Sequence, residues 1–298
     1  MPKTSVRLAV LAAALLAVSA CTATTQDPTA GGPDEALTNS SSTLLVSDID
    51  DTIKRTDVLN KEEAVINAFG TTNQFAGMSL LYKGWHGEDT SNKKITYLSA
   101  APGPLVLLGI HFLKGSSFPG DTSDVSQSVV SGRKFSETAG DFKTTKLKQM
   151  YDANVAAGTV PNTVILIGDN GEQDMFAYAN YIAYVASKGG RTDRIFSFIH
   201  HAYDTPQGSA IVAPHRQFVT AADLAVQLKN LSLISSGALD AVLHEVAVDS
   251  AGAQQRTVIP SFMKCSQFSQ WPKLDEQTGA NDYQSVQTNV NRLCGNTP

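Results

Sequence analysis

The distribution of apolar residues predicts short strands that alternate with helices. Four apolar runs cover residues 43–46, 95–98, 163–167 and 194–199, and a weaker strand is expected near residues 125–130. Short continuous apolar runs are typical of strands buried on both faces of a parallel sheet. Strands that alternate with helices favour an α/β fold, in which a Rossmann-like parallel sheet carries helices on both faces.

Helical spacing and capping signals predict the connecting elements. Asn60 is a suitable N-cap for a helix that runs to Ala68, because Glu63 follows three residues later. The stretch from Gly70 to Lys94 is expected to be a loop. The remaining predicted helices lie near residues 104–113, whose leucines are expected to be core, near 142–154 and 175–182, and between 220 and 248, before an irregular tail after Ala251.

The N-terminal region differs from the rest of the chain. Lys3 and Arg7 precede an apolar run that ends at Val18, which is too short to cross a bilayer and is typical of a secretory signal. The string Val18-Ser19-Ala20-Cys21 resembles the lipobox of bacterial lipoproteins, in which the cysteine is acylated. An ordinary signal peptide with a chance cysteine at this position is the alternative.

This resemblance implies an exported protein that is held on a bacterial membrane. Residues 1–21 would form a lipoprotein signal peptide that ends at the lipidated Cys21. Residues 22–42 are rich in Thr, Ser, Gly and Pro, so they are expected to form a flexible tether. The expected location is the cell envelope, on the periplasmic side or at the cell surface.

Net charge and cysteine content bear on the class of partner and on disulfide bonding. The chain of 298 residues has a formal net charge of −5 and no long basic run, which argues against a nucleic-acid partner. Two cysteines remain besides Cys21, at positions 265 and 294. Because disulfides persist outside the cytoplasm, a bond between Cys265 and Cys294 is favoured, with two free thiols as the alternative.

Polar side chains follow three of the predicted strands. Asp48 and Asp50 come directly after the first, Ser99 follows the second, and Asp169 follows the third, with Asp174 in the loop beyond. The carboxyl ends of parallel strands meet at one edge of a sheet, where ligands bind. Carboxylates that converge there suit a Mg²⁺ ion, which offsets their repulsion.

Longer strings give this pattern a family resemblance. Asp48-x-Asp50-x-Thr52, Ser99 and Gly168-Asp169 with Asp174 resemble motifs of the haloacid dehalogenase superfamily. Within it, the chain is most similar to the catalytic domain of the actin-patch-type phosphatidate phosphatases, over about residues 44–203. The strings that carry this similarity are Ser47-Asp48-Ile49-Asp50-Asp51-Thr52-Ile53-Lys54, Gly77-Met78, Tyr82 with Trp85, Tyr97-Leu98-Ser99-Ala100-Ala101-Pro102, and Leu166-Ile167-Gly168-Asp169-Asn170-Gly171-Glu172.

The resemblance implies a role for each motif residue. Asp48 would be the nucleophile and form an aspartyl-phosphate, and Asp50 would be the general acid and base. Asp48, the Asp50 backbone carbonyl and Asp169 would hold Mg²⁺, with Asp174 as a ligand or a support. The phosphoryl group would be bound by Thr52, Ser99 and a lysine, for which Lys146 is preferred and Lys143 is the alternative.

The implied activity is a Mg²⁺-dependent phosphomonoesterase that acts on phosphatidate or a related lipid phosphate. Its domain would cover residues 43–204, with a cap insertion at about 55–94, and residues 205–298 would pack on it as an extension. Apolar cap residues would line an entry for acyl chains or belong to the core: Phe75, Met78, Leu80, Leu81, Tyr82 and Trp85. The alternatives are a phosphatase of soluble esters and a non-catalytic surface lipoprotein. Ala101 and Asn170 stand where the family usually has serine, and these departures are expected to alter the phosphate or head-group pocket.

Overall fold

The protein is described by a computed structural model, in which residues 42–87 and 90–295 are described. The expected signal peptide, Cys21 and the tether up to residue 41 lie outside the described residues. Within the described part of the chain, no helix is long and apolar enough to cross a bilayer.

The described residues form a six-stranded sheet in the order β3-β2-β1-β4-β5-β6. Every neighbouring pair of strands is parallel, which confirms the predicted α/β class. β3 is only two residues long, and β6 was not predicted because three residues give too short an apolar pattern. The strands are β1 (Thr43–Ser47), β2 (Lys93–Leu98), β3 (Val129–Val130), β4 (Thr163–Asp169), β5 (Ile195–His200) and β6 (Arg216–Phe218).

Helices cover both faces of the sheet. Side chains alternate along each strand, so that Leu44 and Val46 join one buried cluster and Leu45 joins the other. The smaller cluster holds α4 and α5, and the larger holds α2, α6, α7 and α9. The helices are α1 (Lys61–Ala68), α2 (Met78–Gly87), α3 (Val106–Gly115), α4 (Ala139–Ala157), α5 (Asp174–Ser187), α6 (Ala221–Asn230), α7 (Ser236–Ala251), α8 (Gln255–Val258) and α9 (Ala280–Leu293).

The segment expected to be a loop and part of a cap contains a core helix. α2 packs against α7, and Met78, Leu81, Tyr82 and Trp85 are each at most 1% exposed. These side chains, with buried Phe75, therefore belong to the core and do not line an acyl entry. Gly77 precedes α2 with φ +82°, and a Cβ there would lie 2.8 Å from a Val246 methyl of α7, so the close approach of the two helices needs glycine.

α1 is the part of the expected cap that stands away from the core. Asn60 caps it by accepting a hydrogen bond from the Glu63 backbone N–H, as predicted, and none of its eight residues is buried. Val65 and Ile66 are 61% and 66% exposed, and Phe69, directly after the helix, is 67% exposed.

α3 corrects a second expectation. The leucine-rich helix was expected to be core, but only Phe112 and Leu113 of α3 are buried. Leu107 is 58% exposed, and Leu105, just before the helix, is 49% exposed. The run is apolar on nearly all sides, so its hydrophobicity could not show which side faces the sheet.

The C-terminal extension is part of the same core and is not an irregular tail. α7 and α9 pack against each other, and Tyr283, Val286 and Val290 of α9 are buried. Cys265 and Cys294 form a disulfide with a Cα–Cα distance of 5.0 Å.

The segment that carries Cys265 is bonded to the loop after β5. The Lys264 backbone N–H donates to the Ala202 carbonyl oxygen at 2.9 Å. The Asp204 carboxylate accepts from the Ser266 and Gln267 backbone N–H groups at 3.0 and 2.9 Å. The extension therefore supports a loop at the carboxyl edge of the sheet.

Candidate active site

The site lies where the direction of the strand order changes. The chain adds β2 and β3 on one side of β1, and β4, β5 and β6 on the other side. Asp48 follows β1 and Asp169 ends β4, and these strands are neighbours. Such a switch point opens a crevice at the carboxyl ends of the strands, and the structure places both aspartates there.

Lys143 lies at the centre of a buried group of charges. Its Nζ is 2.8 Å from Asp48 Oδ1 and 2.5 Å from Asp174 Oδ1. The Lys143 side chain is 0% exposed, and a Glu172 carboxylate oxygen lies 3.5 Å from the same nitrogen. Carboxylates from the loop after β1 and from the beginning of α5 are therefore held together by one cation from α4.

The preference for Lys146 is corrected by this geometry. Lys146 is partly exposed, and its Nζ lies 5.7 Å from the centroid of the Phe142 ring. In the described part of the chain, the ion pairs of the acidic group are made by Lys143 and not by Lys146. Lys143 precedes the buried Leu147 by four residues and Tyr151 by eight, which places all three on one helix face. This periodicity in the sequence was the signal for Lys143.

Asp174 occupies the first turn of α5, and its position depends on a glycine. Its Oδ2 accepts a hydrogen bond from the Asp169 backbone N–H at 3.1 Å, so Asp174 links Lys143 to the end of β4. A Cβ at Gly168 would lie 2.6 Å from the Asp174 carboxyl group. Any larger residue at position 168 would displace that carboxylate.

Burial dominates the electrostatics of the group. Burial raises the pKa of Asp48 well above its ordinary value, although the nearby Lys143 ammonium acts in the opposite direction. Burial also raises the pKa of Asp169, and the Asp174 and Asp48 carboxylates add to that effect. For Lys143, burial lowers the pKa, but Asp174 and Asp48 outweigh it, so the ammonium pKa lies well above its usual range.

Three buried carboxylates can hold a metal ion. Asp48, Asp169 and Asp174 each offer an oxygen, and these atoms lie within 4.8 Å of one another. Asp169 Oδ1 accepts from the Gly171 and Glu172 backbone N–H groups. Asp169 Oδ2 is buried without a hydrogen-bond partner. An unsatisfied buried oxygen among hard oxygen donors fits a divalent cation such as Mg²⁺.

The remaining expected site residues follow β1 and β2, which are neighbours in the sheet. Thr52 is buried and donates through Oγ1 to Asp48 Oδ2 at 3.3 Å. Ser99 is buried at the end of β2, next to β1, and its Oγ accepts from the Ala101 backbone N–H at 3.2 Å. Asp50 is partly exposed, and its Oδ1 accepts a hydrogen bond from the Thr56 hydroxyl at 2.7 Å.

This arrangement agrees with a comparison of sequences. The profile of the family described as "Phosphatidate phosphatase APP1, catalytic domain" matches residues 43–195, just over half of the chain. The chain belongs to this family. The match spans β1 to the beginning of β5 and includes Asp48, Lys143 and Asp169.

Other comparisons add little. The chain shows no significant match to any curated protein. One similar solved structure is described as the crystal structure of a class C acid phosphatase from Bacillus anthracis with tungstate bound. It is 14% identical, with a TM-score of 0.28, and the match covers 54% of this chain and 69% of that chain.

Asn170, which departs from the family pattern, has a structural role in this member. Its Oδ1 accepts from the Ala202 and Tyr203 backbone N–H groups, both at 3.0 Å. Its Nδ2 donates to the Tyr203 carbonyl oxygen at 2.6 Å. Asn170 therefore fastens the loop after β5 to the loop after β4.

His200 is part of the support of the site and is not in the group of potential metal ligands found among the described residues. It is 1% exposed, and its ring stacks on Phe218 with centroids 4.9 Å apart. Its Nδ1 lies 2.6 Å from the Asp51 carbonyl oxygen, and its Nε2 lies 3.1 Å from that of Val219. Burial lowers the pKa of His200 to about 4, so the ring is neutral at pH 7.

Proposed function

We propose that the protein is a Mg²⁺-dependent phosphatase that hydrolyses the phosphomonoester of a lipid, with Asp48 as nucleophile. Family membership supports a phosphoric monoester hydrolase. The single observation that carries the mechanism is the buried group formed by Asp48, Asp169, Asp174 and Lys143. The same arrangement is expected from the haloacid dehalogenase motifs in the sequence.

In the first step, a carboxylate oxygen of Asp48 attacks phosphorus, and the bond from phosphorus to the leaving oxygen breaks. Asp50 donates a proton to that oxygen, so the leaving group departs as an alcohol. Lys143 and Ser99 would bind phosphoryl oxygens at the carboxyl edge of the sheet. A bound Mg²⁺ would offset the negative charge of the phosphoryl group and of the acidic cluster.

In the second step, water attacks the phosphorus of the aspartyl-phosphate. Asp50, now ionised, accepts a proton from that water, and the bond between phosphorus and the Asp48 oxygen breaks. Phosphate leaves, Asp48 is again a carboxylate, and Asp50 is again protonated. The first step needs no separate base, because the ionised Asp48 carboxylate is already nucleophilic.

A lipid substrate is supported by the family and by the surface of α1. Val65, Ile66 and Phe69 expose most of their apolar surface on the segment that follows the Asp48 loop. Apolar side chains grouped near a site suit contact with acyl chains or with a bilayer surface. A lipid anchor at Cys21, expected from the lipobox, would keep the enzyme at such a surface.

The test compares esters that differ in their leaving group. Purified protein is assayed on short-chain phosphatidate, glycerol 3-phosphate, a nucleoside monophosphate and nitrophenyl phosphate, with Mg²⁺ and with a chelator. We expect kcat/KM to be highest on phosphatidate and activity to be lost in the chelator. Faster turnover of the soluble esters would favour the second candidate, a phosphatase of soluble phosphates, and the absence of turnover would support a non-catalytic lipoprotein.

A further inference from the structure

The Asp50 carboxylate is held by one residue. Among the hydrogen bonds of the described residues, the one that reaches this carboxylate comes from the Thr56 hydroxyl, at 2.7 Å from Oδ1. Thr56 is 4% exposed, and its hydroxyl has a second, longer contact at 3.5 Å with the Lys54 carbonyl oxygen. The bond to Oδ1 fixes the plane of the carboxyl group and leaves Oδ2 available for a proton.

Thr56 is itself held in place by Asp51. Asp51 is buried, and its backbone has φ +54°. In this conformation its carboxylate faces the loop that follows. Oδ1 accepts from the Thr56 and Asp57 backbone N–H groups at 2.8 and 2.7 Å, and Oδ2 accepts from the Val58 N–H at 2.7 Å. Three successive amides are therefore fixed by one side chain.

Tyr203 connects this arrangement to the far side of the site. Its hydroxyl donates to Asp51 Oδ2 at 2.5 Å and lies 3.2 Å from Asp57 Oδ1. Tyr203 is 3% exposed, and both its backbone N–H and its carbonyl are bonded to Asn170. Asp51 is thus connected through Tyr203 to Asn170, in the loop that follows Asp169.

We propose that Thr56, held by Asp51 and Tyr203, is the positioning residue that aims the general acid Asp50 at the leaving oxygen. This inference rests on the proposed function, because it assigns Asp50 the acid role. Thr56 does not touch the phosphoryl group in this account. It acts by restricting the rotation of the Asp50 carboxyl group, so that proton transfer requires less reorganisation.

The experiment measures kcat for phenyl phosphate and nitrophenyl phosphate in matched variants. Thr56→Val keeps the shape of the side chain and removes the hydroxyl, so we expect kcat for phenyl phosphate to fall about tenfold more than kcat for nitrophenyl phosphate, whose leaving group needs little protonation. Thr56→Ser should restore the wild-type ratio of the two rates. Tyr203→Phe should change the ratio of the two rates in the same direction by only about threefold, because the three backbone N–H hydrogen bonds to the Asp51 carboxylate remain.

An Asp50→Asn background supplies the internal control. If Thr56 acts only through Asp50, adding Thr56→Val to Asp50→Asn should leave both rates unchanged. An equal loss on the two substrates would identify Thr56 as a purely structural residue and overturn the inference. A wild-type protein that hydrolyses neither these esters nor short-chain phosphatidate would overturn the proposed function and this inference together, whereas failure of the inference alone leaves wild-type turnover intact. If Thr56→Val does not fold, the ratio in Tyr203→Phe decides.

Discussion

Lys143 is the residue on which the acidic group depends. Its ammonium has no exposure, and it faces the Asp48 and Asp174 carboxylates at 2.8 and 2.5 Å. Buried charges are tolerated only with partners, so removal of one member leaves the others without compensation. Lys146, three residues further along α4, lies partly exposed outside the group, which makes it a matched control.

We expect Lys143→Met to lower the free energy of unfolding by about 3 kcal/mol in the absence of metal and to abolish phosphatase activity. Lys146→Met should change stability by no more than about 0.5 kcal/mol and retain activity. Urea unfolding monitored by circular dichroism at pH 7 measures the first effect. Loss of activity in Lys146→Met with activity retained in Lys143→Met would return the role to Lys146, and equal losses in the two variants would contradict the assignment to Lys143.

The two neighbouring aspartates should fail in different ways. Asp48→Asn should abolish turnover on every substrate, because an amide cannot form the acyl-phosphate. Asp50→Asn should keep slow turnover, and its defect should shrink from about 10⁴-fold towards about 10²-fold as the leaving group improves. Single-turnover assays on nitrophenyl phosphate and an alkyl phosphate measure the difference. A milder defect in Asp48→Asn than in Asp50→Asn on both substrates would show that Asp48 is not the nucleophile.

His200 should make stability depend on pH. Its pKa in the folded state is about 4 because it is buried, against about 6.5 in an unfolded chain. Between these values the unfolded state binds more protons, so stability falls as pH is lowered from 6.5 to 4. From pH 7 to pH 5, this one group should cost roughly 2 kcal/mol.

The measurement compares wild type with His200→Gln, which cannot titrate. Asp51 and Asp223 have pKa values raised to about 6 by burial, and they act in the opposite direction, so only the difference between the two proteins isolates His200. Identical slopes in wild type and His200→Gln would contradict the prediction.

The positions of several expected site residues could be predicted where the signal is local. Asp48 follows β1 and Asp169 ends β4, and the end of a strand can be recognised from a few neighbouring residues. Thr56 and Tyr203 carried no such signal. Thr56 bonds to Asp50 because a loop folds back, and Tyr203 bonds to Asp51, which is 152 positions away in the sequence. Sequence spacing does not report that kind of proximity.

At the scale of elements, α1 and the residue after it expose large apolar side chains, Val65, Ile66 and Phe69. We expect Ile66→Ser with Phe69→Ser to reduce turnover of phosphatidate in vesicles at least about fivefold, because apolar contact with the bilayer is lost. Turnover of nitrophenyl phosphate and the unfolding midpoint should stay unchanged, since both side chains are exposed.

The control for this surface is Val248→Ser on α7, where Val248 is 56% exposed. This variant should hydrolyse vesicle substrate at the wild-type rate. Vesicle sedimentation gives an independent measure of binding. An equal loss in the α1 variant and in Val248→Ser, or a loss on the soluble ester as well, would exclude α1 as the lipid contact.

Elements were predicted where local signals are strong, and they were missed where tertiary packing decides. Asn60 and Glu63 correctly gave the beginning of α1 through a side-chain cap. α2 was taken for a loop because glycines lie before it, within it and at its end, at positions 77, 84 and 87. In the fold, Gly77 and Gly84 allow close contact with α6 and α7. Glycine therefore indicated packing here where it would ordinarily indicate a turn.

At the scale of the whole molecule, the disulfide closes a loop in the extension. Cys265 and Cys294 are separated by 29 residues, so we expect the double variant Cys265→Ser, Cys294→Ser to lower the free energy of unfolding by roughly 3 kcal/mol. Urea unfolding of both proteins, with and without a thiol reductant, measures the effect. The reduced wild type should match the double variant, and equal stability of all four samples would contradict the prediction.

The overall architecture was predictable because the strand and helix signals agree with one another along residues 43–199, and an α/β fold is their common solution. The extension was not predictable to the same degree. α9 is polar on average, yet its buried Tyr283, Val286 and Val290 recur at helical spacing, so a local signal for this helix is present. That signal does not identify the packing partner, α7, which only the fold brings next to it.

The hydrogen bonds between the extension and the loop after β5 limit how far the protein can be shortened. A fragment that ends at residue 195, where the recognised family region stops, lacks Tyr203 and the Lys264 and Ser266 amides that anchor its loop. Such a fragment would also expose the sheet face that α6 and α7 cover. The smallest piece that can be expressed, crystallised or grafted onto another anchor is therefore expected to run from about residue 42 through Cys294.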